Sequence, residues 1–246
     1  MERTEFKSHI SEKYNRNLED LFNQVLEMGG LVETQLNNTV DAIKCENKKL
    51  AKEVKQIDKI VNKGEIEIDR LCASVLARQQ PTASDLRLIV SAIRIAVDLE
   101  RIGDEAVNTS KLAIKMAKVQ DVPCDTLPAY KCLMEIIAID LVMLKKALTS
   151  FAQLDLDSIA ETVDDEQRVT EIKNKALNEI QLSLNKDTDE IAEYMMQMIY
   201  SVRAAERISA HIVNITESIV YIVNGQNVRH MNSVKLSSFL SDQDQD

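Results

Sequence analysis

Glu100-Arg101-Ile102, with Val107-Asn108 behind it, returns as Glu206-Arg207-Ile208 with Val213-Asn214 behind it, and the offset is 106 throughout. Leu50-Ala51 then Val54 matches Ile159-Ala160 then Val163 at an offset of 109. The three-residue difference is small enough to be lost at a turn. A chain that repeats its element order at this period is two tandem copies of one unit. The first copy is expected over residues 1–120 and the second over 125–236, with a loose acidic tail at 237–246.

Composition sets the class of fold. The chain has 246 residues, 45% of them hydrophobic, with only five Gly, three Pro and 4% aromatics. Strand-rich folds need more turns and more β-branched and aromatic residues, so the expectation is all-α. Helical three-and-four spacing runs through Leu21, Val25, Met28, Val32, Leu36, Val40 and Ile43. Gly29-Gly30 interrupts it without shifting its phase, which predicts close approach of a neighbouring helix.

The expected helices are about 6–47, 50–79, 84–118, 127–153, 155–184 and 188–224. Pro81 ends the second, and Thr82 with Asp85 forms a capping box for the third. Asp121-Val122-Pro123-Cys124-Asp125 is the strong linker, with Pro128 in the first turn of the fourth helix. Asp155 or Asp157 caps the fifth. Asn185-Lys186-Asp187-Thr188 makes a turn with Asp187 and Glu190 as capping partners, and Gly225 is the C′ residue of the sixth. Helices of about 30 residues are roughly 45 Å long. With short connections they form two antiparallel three-helix bundles.

The net charge of −10 disfavours a nucleic-acid backbone binder and gives no attraction to anionic lipid. Cys45, Cys72, Cys124 and Cys132 form no Cys-x-x-Cys pair, so free thiols in a cytoplasmic protein are expected. The segment Met1-Glu2-Arg3-Thr4-Glu5 lacks the apolar stretch of a signal peptide. No apolar run reaches the ~20 residues that a membrane span requires.

The carboxylates carry the chemistry. Asp58, Glu65 and Asp69 share one face of the second helix, and Glu100 with Asp104 share one face of the third, beside Asp98 and Asn108. Like charges at this spacing repel, and a hard multivalent cation between two such faces would offset the repulsion. The bland alternative is a solvated acidic face paired locally with Arg70 and Arg101. In the second copy, the 109 offset puts Gln167, Asn174 and Asn178 at the places of Asp58, Glu65 and Asp69. At 106, Glu206 keeps the place of Glu100, while Ala210 and Ser209 replace Asp104 and Gly103. Glu171 and Glu206 remain, with His211 nearby, so a weakened second site is expected.

Other chemistries fit less well. A di-iron carboxylate enzyme needs Glu-x-x-His pairs, and Phe6, Ile208 and Asn227 stand three residues before His9, His211 and His230. His211 is expected to be a structural or surface imidazole. There is no Gly-rich phosphate loop and no nucleophile beside a recognisable base. Met195, Met196 and Met198 are expected to fill core. A coiled-coil rod is disfavoured by the marked turns and the repeated compact unit.

Asp98-Leu99-Glu100-Arg101-Ile102-Gly103-Asp104 with Val107-Asn108 resembles the signature of PhoU, the bacterial phosphate-uptake regulator family. Gln80-Pro81-Thr82-Ala83-Ser84-Asp85-Leu86-Arg87, Met28-Gly29-Gly30-Leu31-Val32-Glu33 and Gly225-Gln226-Asn227-Val228-Arg229-His230 are similar to other segments of that family, in order along the chain. The resemblance implies two homologous three-helix bundles and Glu/Asp-x-x-x-Asp motifs able to hold iron or other metal clusters. Glu65 with Asp69 and Glu100 with Asp104 fill those motifs. It further implies a regulatory homodimer, not an enzyme. Such a regulator signals phosphate sufficiency between the ATPase subunit of a phosphate ABC transporter and a sensor histidine kinase, and represses phosphate-starvation genes. Ser209-Ala210, where the motif expects Gly-Asp, departs from the pattern and puts a second cluster in question. A carboxylate-bundle metal enzyme or metal store is the alternative.

Overall fold

A computed structural model describes residues 12–117, 123–184, 189–229 and 231, without the side chains of 189–193. Six helices run in order: α1 Glu12–Lys44, α2 Lys48–Arg78, α3 Ala83–Met116, α4 Tyr130–Gln153, α5 Ile159–Leu184 and α6 Asp189–Asn224. The chain is all-α, with α1–α3 forming one three-helix unit and α4–α6 repeating it.

The ends of the helices follow local chemistry. Asn47 Oδ1 accepts the backbone N–H groups of Lys49 (2.9 Å) and Leu50 (3.2 Å) and starts α2. Asp85 Oδ2 accepts from the Thr82 backbone N–H (3.2 Å), the Thr82 hydroxyl (2.7 Å) and the Tyr14 hydroxyl (2.9 Å). The predicted capping box at α3 is therefore present, and it also ties the start of α1 to the start of α3. Gly225 ends α6 at φ 72°, with its N–H on Tyr221 O at 3.1 Å.

Two ends differ from expectation. A 3-10 turn at Cys124–Thr126 and a left-handed Ala129 (φ 65°) intervene before α4, so Pro128 precedes the helix instead of lying in its first turn. Before α5, Asp155 Oδ1 accepts the Asp157 N–H (3.3 Å) in an Asx turn, and the Thr162 N–H reaches Ser158 O (3.3 Å). The helix thus starts after Ser158, not at Asp155 or Asp157. The Asp187–Glu190 cap, His9, His230 and the tail 237–246 lie outside the described residues.

The two units meet along α3 and α6, the most extensive helix pair, and along α1 and α4. Partners on α3 and α6 run in opposite directions: Arg87 with Ile222, Asp98 with His211, Glu105 with Arg207 and Thr109 with Ser201. The two helices are therefore antiparallel. On α1 and α4, Phe22 stacks on Phe151 with centroids 4.6 Å apart. A Cβ on Gly29 would collide with the Leu148 side chain of α4, so Gly29 marks the close approach predicted for it. Gly30 has open space around it.

Burial fixes the register of the duplication. Val25, Met28, Val32, Leu36, Ala42 and Ile43 correspond at an offset of 108 to Leu133, Ile136, Asp140, Leu144, Ser150 and Phe151, all buried. On α2, Ala51, Val54, Val61, Ile68 and Cys72 likewise correspond to buried Ile159, Thr162, Val169, Ala176 and Ile180 at 108. The 109 offset read from Leu50-Ala51 and Val54 would put Cys72 opposite exposed Gln181. It followed the identity of three residues, whereas packing follows the buried row along the whole helix. The shift changes which residues are equivalent. Asp58 corresponds to Glu166, Glu65 to Lys173 and Asp69 to Leu177, in place of Gln167, Asn174 and Asn178.

Candidate metal centre and its counterpart

Asp58 and Glu65 on α2 and Glu100 and Asp104 on α3 are each partly buried. They share one electrostatic field. Burial pushes the Glu100 carboxyl up from its usual value. Asp104, Glu65 and Asp58 push it the same way, and Arg101 opposes them. Burial also raises Asp58; a hydrogen bond from Gln35 and the charge of Lys55 oppose the rise, and Asp104 adds to it. Arg101 is 58% exposed and reaches Glu100 at 3.6 Å and Asp104 at 3.9 Å. A pair that long and that wet adds little stability.

Gly103 lies beside this set. Gln35 is fully buried and its Nε2 donates to Gly103 O at 3.0 Å, with Val54 O at 3.3 Å and Asp58 Oδ1 at 3.4 Å. A Cβ on Gly103 would sit 2.9 Å from Gln35 Oε1 and 3.4 Å from Asp58 Oδ1. The glycine is what allows the amide and the carboxylate to come so near α3. Gln35 Oε1 is buried with no hydrogen-bond partner among the described residues.

Carboxylate oxygens and an orphaned amide oxygen are the donors that a hard cation takes, so the residues fit such an ion chemically. They form a shared field and not a closed cage. Among the described residues, no group of three or more His, Cys, Asp or Glu side chains is arranged to hold a metal ion. Asp69 is exposed, and its charge acts on Cys72, whose thiol burial pushes up to about 12. It is not among the charges that shift Glu100 or Asp58.

The second repeat handles the same place differently. Lys173, at the position of Glu65, pairs with Glu206 at 3.0 Å. Glu166, at the position of Asp58, is raised by burial and then by Glu206, with Lys173 and Thr170 opposing. Asp140 is fully buried at the position of Val32, and neither of its oxygens has a partner among the described residues. Burial, followed by the charge of Glu206, raises it well above the carboxylate range. Glu206 thus belongs to the counterpart, while Glu171 is exposed at the position of Lys63 and stands apart. Sequence reasoning missed Gln35, Asp140, Glu166 and Lys173. The burial register is the signal that brings the last three into view, because an acid or a lysine then falls on a row that is otherwise apolar or acidic.

His211 Nδ1 meets Asp98 Oδ1 at 2.9 Å, and Asn214 Nδ2 donates to the same oxygen at 3.1 Å. The imidazole is a strut between repeats, as expected for it. All four cysteines are free, with Cys72, Cys124 and Cys132 buried and Cys45 exposed. No helix among the described residues is long and apolar enough to cross a membrane.

Comparison with known proteins covers both repeats. The PhoU domain family model matches residues 25–113 and 133–219. A phosphate-specific transport system accessory protein PhoU homolog of Pseudomonas aeruginosa is 36% identical over 228 residues, which is 93% of this chain and 92% of the relative. The accessory protein PhoU of Escherichia coli K12 is 32% identical over 246 residues and the full length of both chains. The crystal structure of PhoU from Pseudomonas aeruginosa superposes with a TM-score of 0.81, covering 87% of this chain and 100% of that one at 36% identity. The phosphate transport system regulatory protein PhoU from Streptococcus pneumoniae gives 0.75, with 86% and 97% covered at 26% identity. With both halves matched and relatives aligned over nearly their entire length, this chain belongs to the PhoU family.

Proposed function

We propose that this chain regulates phosphate uptake as an accessory protein of a phosphate-specific transport system. In this reading it is a cytoplasmic homodimer that docks on the ATPase subunit of the transporter and on a sensor histidine kinase. It represses the phosphate-starvation response while phosphate is sufficient. The observation that carries the reading is the match of both repeats, over nearly the whole length, to accessory proteins of such systems.

The first repeat would hold a multivalent cation, iron among the candidates, through Asp58, Glu65, Glu100 and Asp104. A bound cation would supply positive charge that lets these carboxylates ionise together. The residues themselves set the coupling: α2 carries two of them and α3 the other two, so neutralising the set fixes one helix against the other. Lys173 does the corresponding work in the second repeat with a covalently attached charge.

The test is co-purification of the tagged chain with the transporter ATPase subunit and the kinase, alongside starvation-gene reporters in a deletion strain. The expected result is capture of both partners, with reporters derepressed in high phosphate and restored by the wild-type chain. Capture of neither, with phosphate control intact in the deletion strain, would overturn the adaptor. Robust ferroxidase or phosphatase turnover by the purified protein would favour the metal-enzyme alternative instead.

A further inference from the structure

The groove between α3, α5 and α6 has a volume of about 880 Å³, and its lining is rich in cations: Lys111, Lys173, Arg203 and Arg207. Among the described residues, Glu206 is the only carboxylate in that lining, and Lys173 already holds it at 3.0 Å. Such an excess of positive charge stands out in a chain of net charge −10. Asn108, Asn174 and Gln197 add neutral donors to the wall, and the ring of exposed Tyr200 lies at its edge.

Three of the four cations, Lys111, Lys173 and Arg207, are held in position. Glu105, which is 8% exposed, accepts from Arg207 at 2.7 Å and from Asn108 at 3.1 Å. Asn108 Oδ1 in turn accepts from Lys111 Nζ at 2.7 Å. One buried carboxylate therefore orients Arg207 directly and Lys111 through an amide. Arg203 lies one helical turn before Arg207, so the two guanidinium groups share a face of α6.

The duplication supplies a second, independent observation. The positions equivalent to this lining, on α2, α3 and α6, hold the acids Glu65, Asp69, Asp98, Glu100 and Glu217 against the cations Arg94 and Arg101. Lys173 replaces Glu65 and Lys111 stands where Glu217 does. The same place in one fold is net acidic in one copy and net basic in the other.

We propose that this groove is an anion site for a small ligand bearing two or more phosphoryl groups. Guanidinium forks and ammonium groups converging from three helices match phosphoryl oxygens presented in several directions. The volume lies in the range of small-ligand sites and exceeds what one inorganic phosphate fills. The site does not depend on the regulatory reading, since it rests on charge and shape alone.

The experiment titrates the full chain with tripolyphosphate and with ATP by calorimetry, at fixed ionic strength in chelator, with inorganic phosphate and sulfate as comparison ions. Saturable binding of one ligand per chain is expected, at least tenfold tighter than either comparison ion. Lys111→Gln with Arg203→Gln, both exposed positions, should weaken it at least tenfold. Arg101→Gln, at the position of Arg207 in the acidic copy, should leave it unchanged. Lysine acetylation of the unmodified protein reads the same site without any substitution, and tripolyphosphate should protect Lys111 and Lys173. No binding, equal binding of sulfate, an unaffected double variant or no protection would each overturn the proposal. Displacement of tripolyphosphate by an acidic peptide of comparable affinity would overturn the choice of a phosphoryl ligand.

Discussion

Asp140→Val is expected to stabilise the protein at pH 7 by about 2 to 4 kcal/mol, because it replaces a buried, unpartnered acid with the residue type at the equivalent place in the first repeat. Asp140 is fully buried, its oxygens have no partner among the described residues, and Val32 fills the matching site. For a chain of this size each kcal/mol moves Tm by roughly 2 to 4 °C. The pH dependence gives the signature. The carboxyl is raised in the folded protein by burial and by Glu206. Below the unfolded-state value of about 3.9 both states are protonated and the group has no effect. Above it the unfolded chain ionises first, so stability falls as pH rises toward the folded-state value, by about 1.4 kcal/mol per unit for this one group. Asp140→Val and Asp140→Asn should both remove that slope, and only the valine variant should also remove the buried polar group. Denaturant titrations from pH 4 to 8 measure both effects. A valine variant less stable than the parent at every pH would show that Asp140 has a partner that holds it charged.

Lys173→Glu should have the opposite effect on stability and a new dependence on metal. The substitution breaks the 3.0 Å pair with Glu206 and adds a carboxylate beside Glu206 and Glu166. The pair is partly buried, with side-chain exposures of 20% and 27%, so a loss of about 2 kcal/mol is expected, below the range for a fully buried pair. A divalent cation should then restore stability, since a ligand that binds only the folded state adds about 2.7 kcal/mol at one hundred times its Kd. Lys173→Gln separates the two effects: it loses the pair but gains no oxygen ligand of full charge, so manganese should not rescue it. Thermal melts with and without manganese read the outcome. Equal rescue of both variants would place the cation elsewhere.

The fold was legible because it was written twice and because periodicity, caps and breakers agreed. Pro81, Thr82 with Asp85, and Gly225 each mark an end that the structure keeps. The start of α4 was less legible, because a left-handed Ala129 and a 3-10 turn place Pro128 outside the helix, and neither leaves a compositional mark. The acidic cluster was legible as spacing on two helices. That spacing could not show that Asp69 would stay exposed while the other four are partly buried, since both faces of a long helix carry charge. The counterpart site was misaligned by one residue. A one-residue slip turns a helix by about 100°, enough to replace Glu166 and Lys173 with Gln167 and Asn174 as the equivalents of Asp58 and Glu65. Asp140 was missed because it lies on an apolar row, and burial cannot be read from residue type when that row carries a single acid.

Anomalous diffraction from crystals soaked in manganese tests the central claim, that one duplicated unit carries a cation-binding carboxylate set in its first copy and a built-in lysine in its second. A peak is expected between α2 and α3, among Asp58, Glu65, Glu100 and Asp104, and none beside Lys173 and Glu206. Peaks of equal height in both repeats, or density only at the Glu206 side, would contradict it.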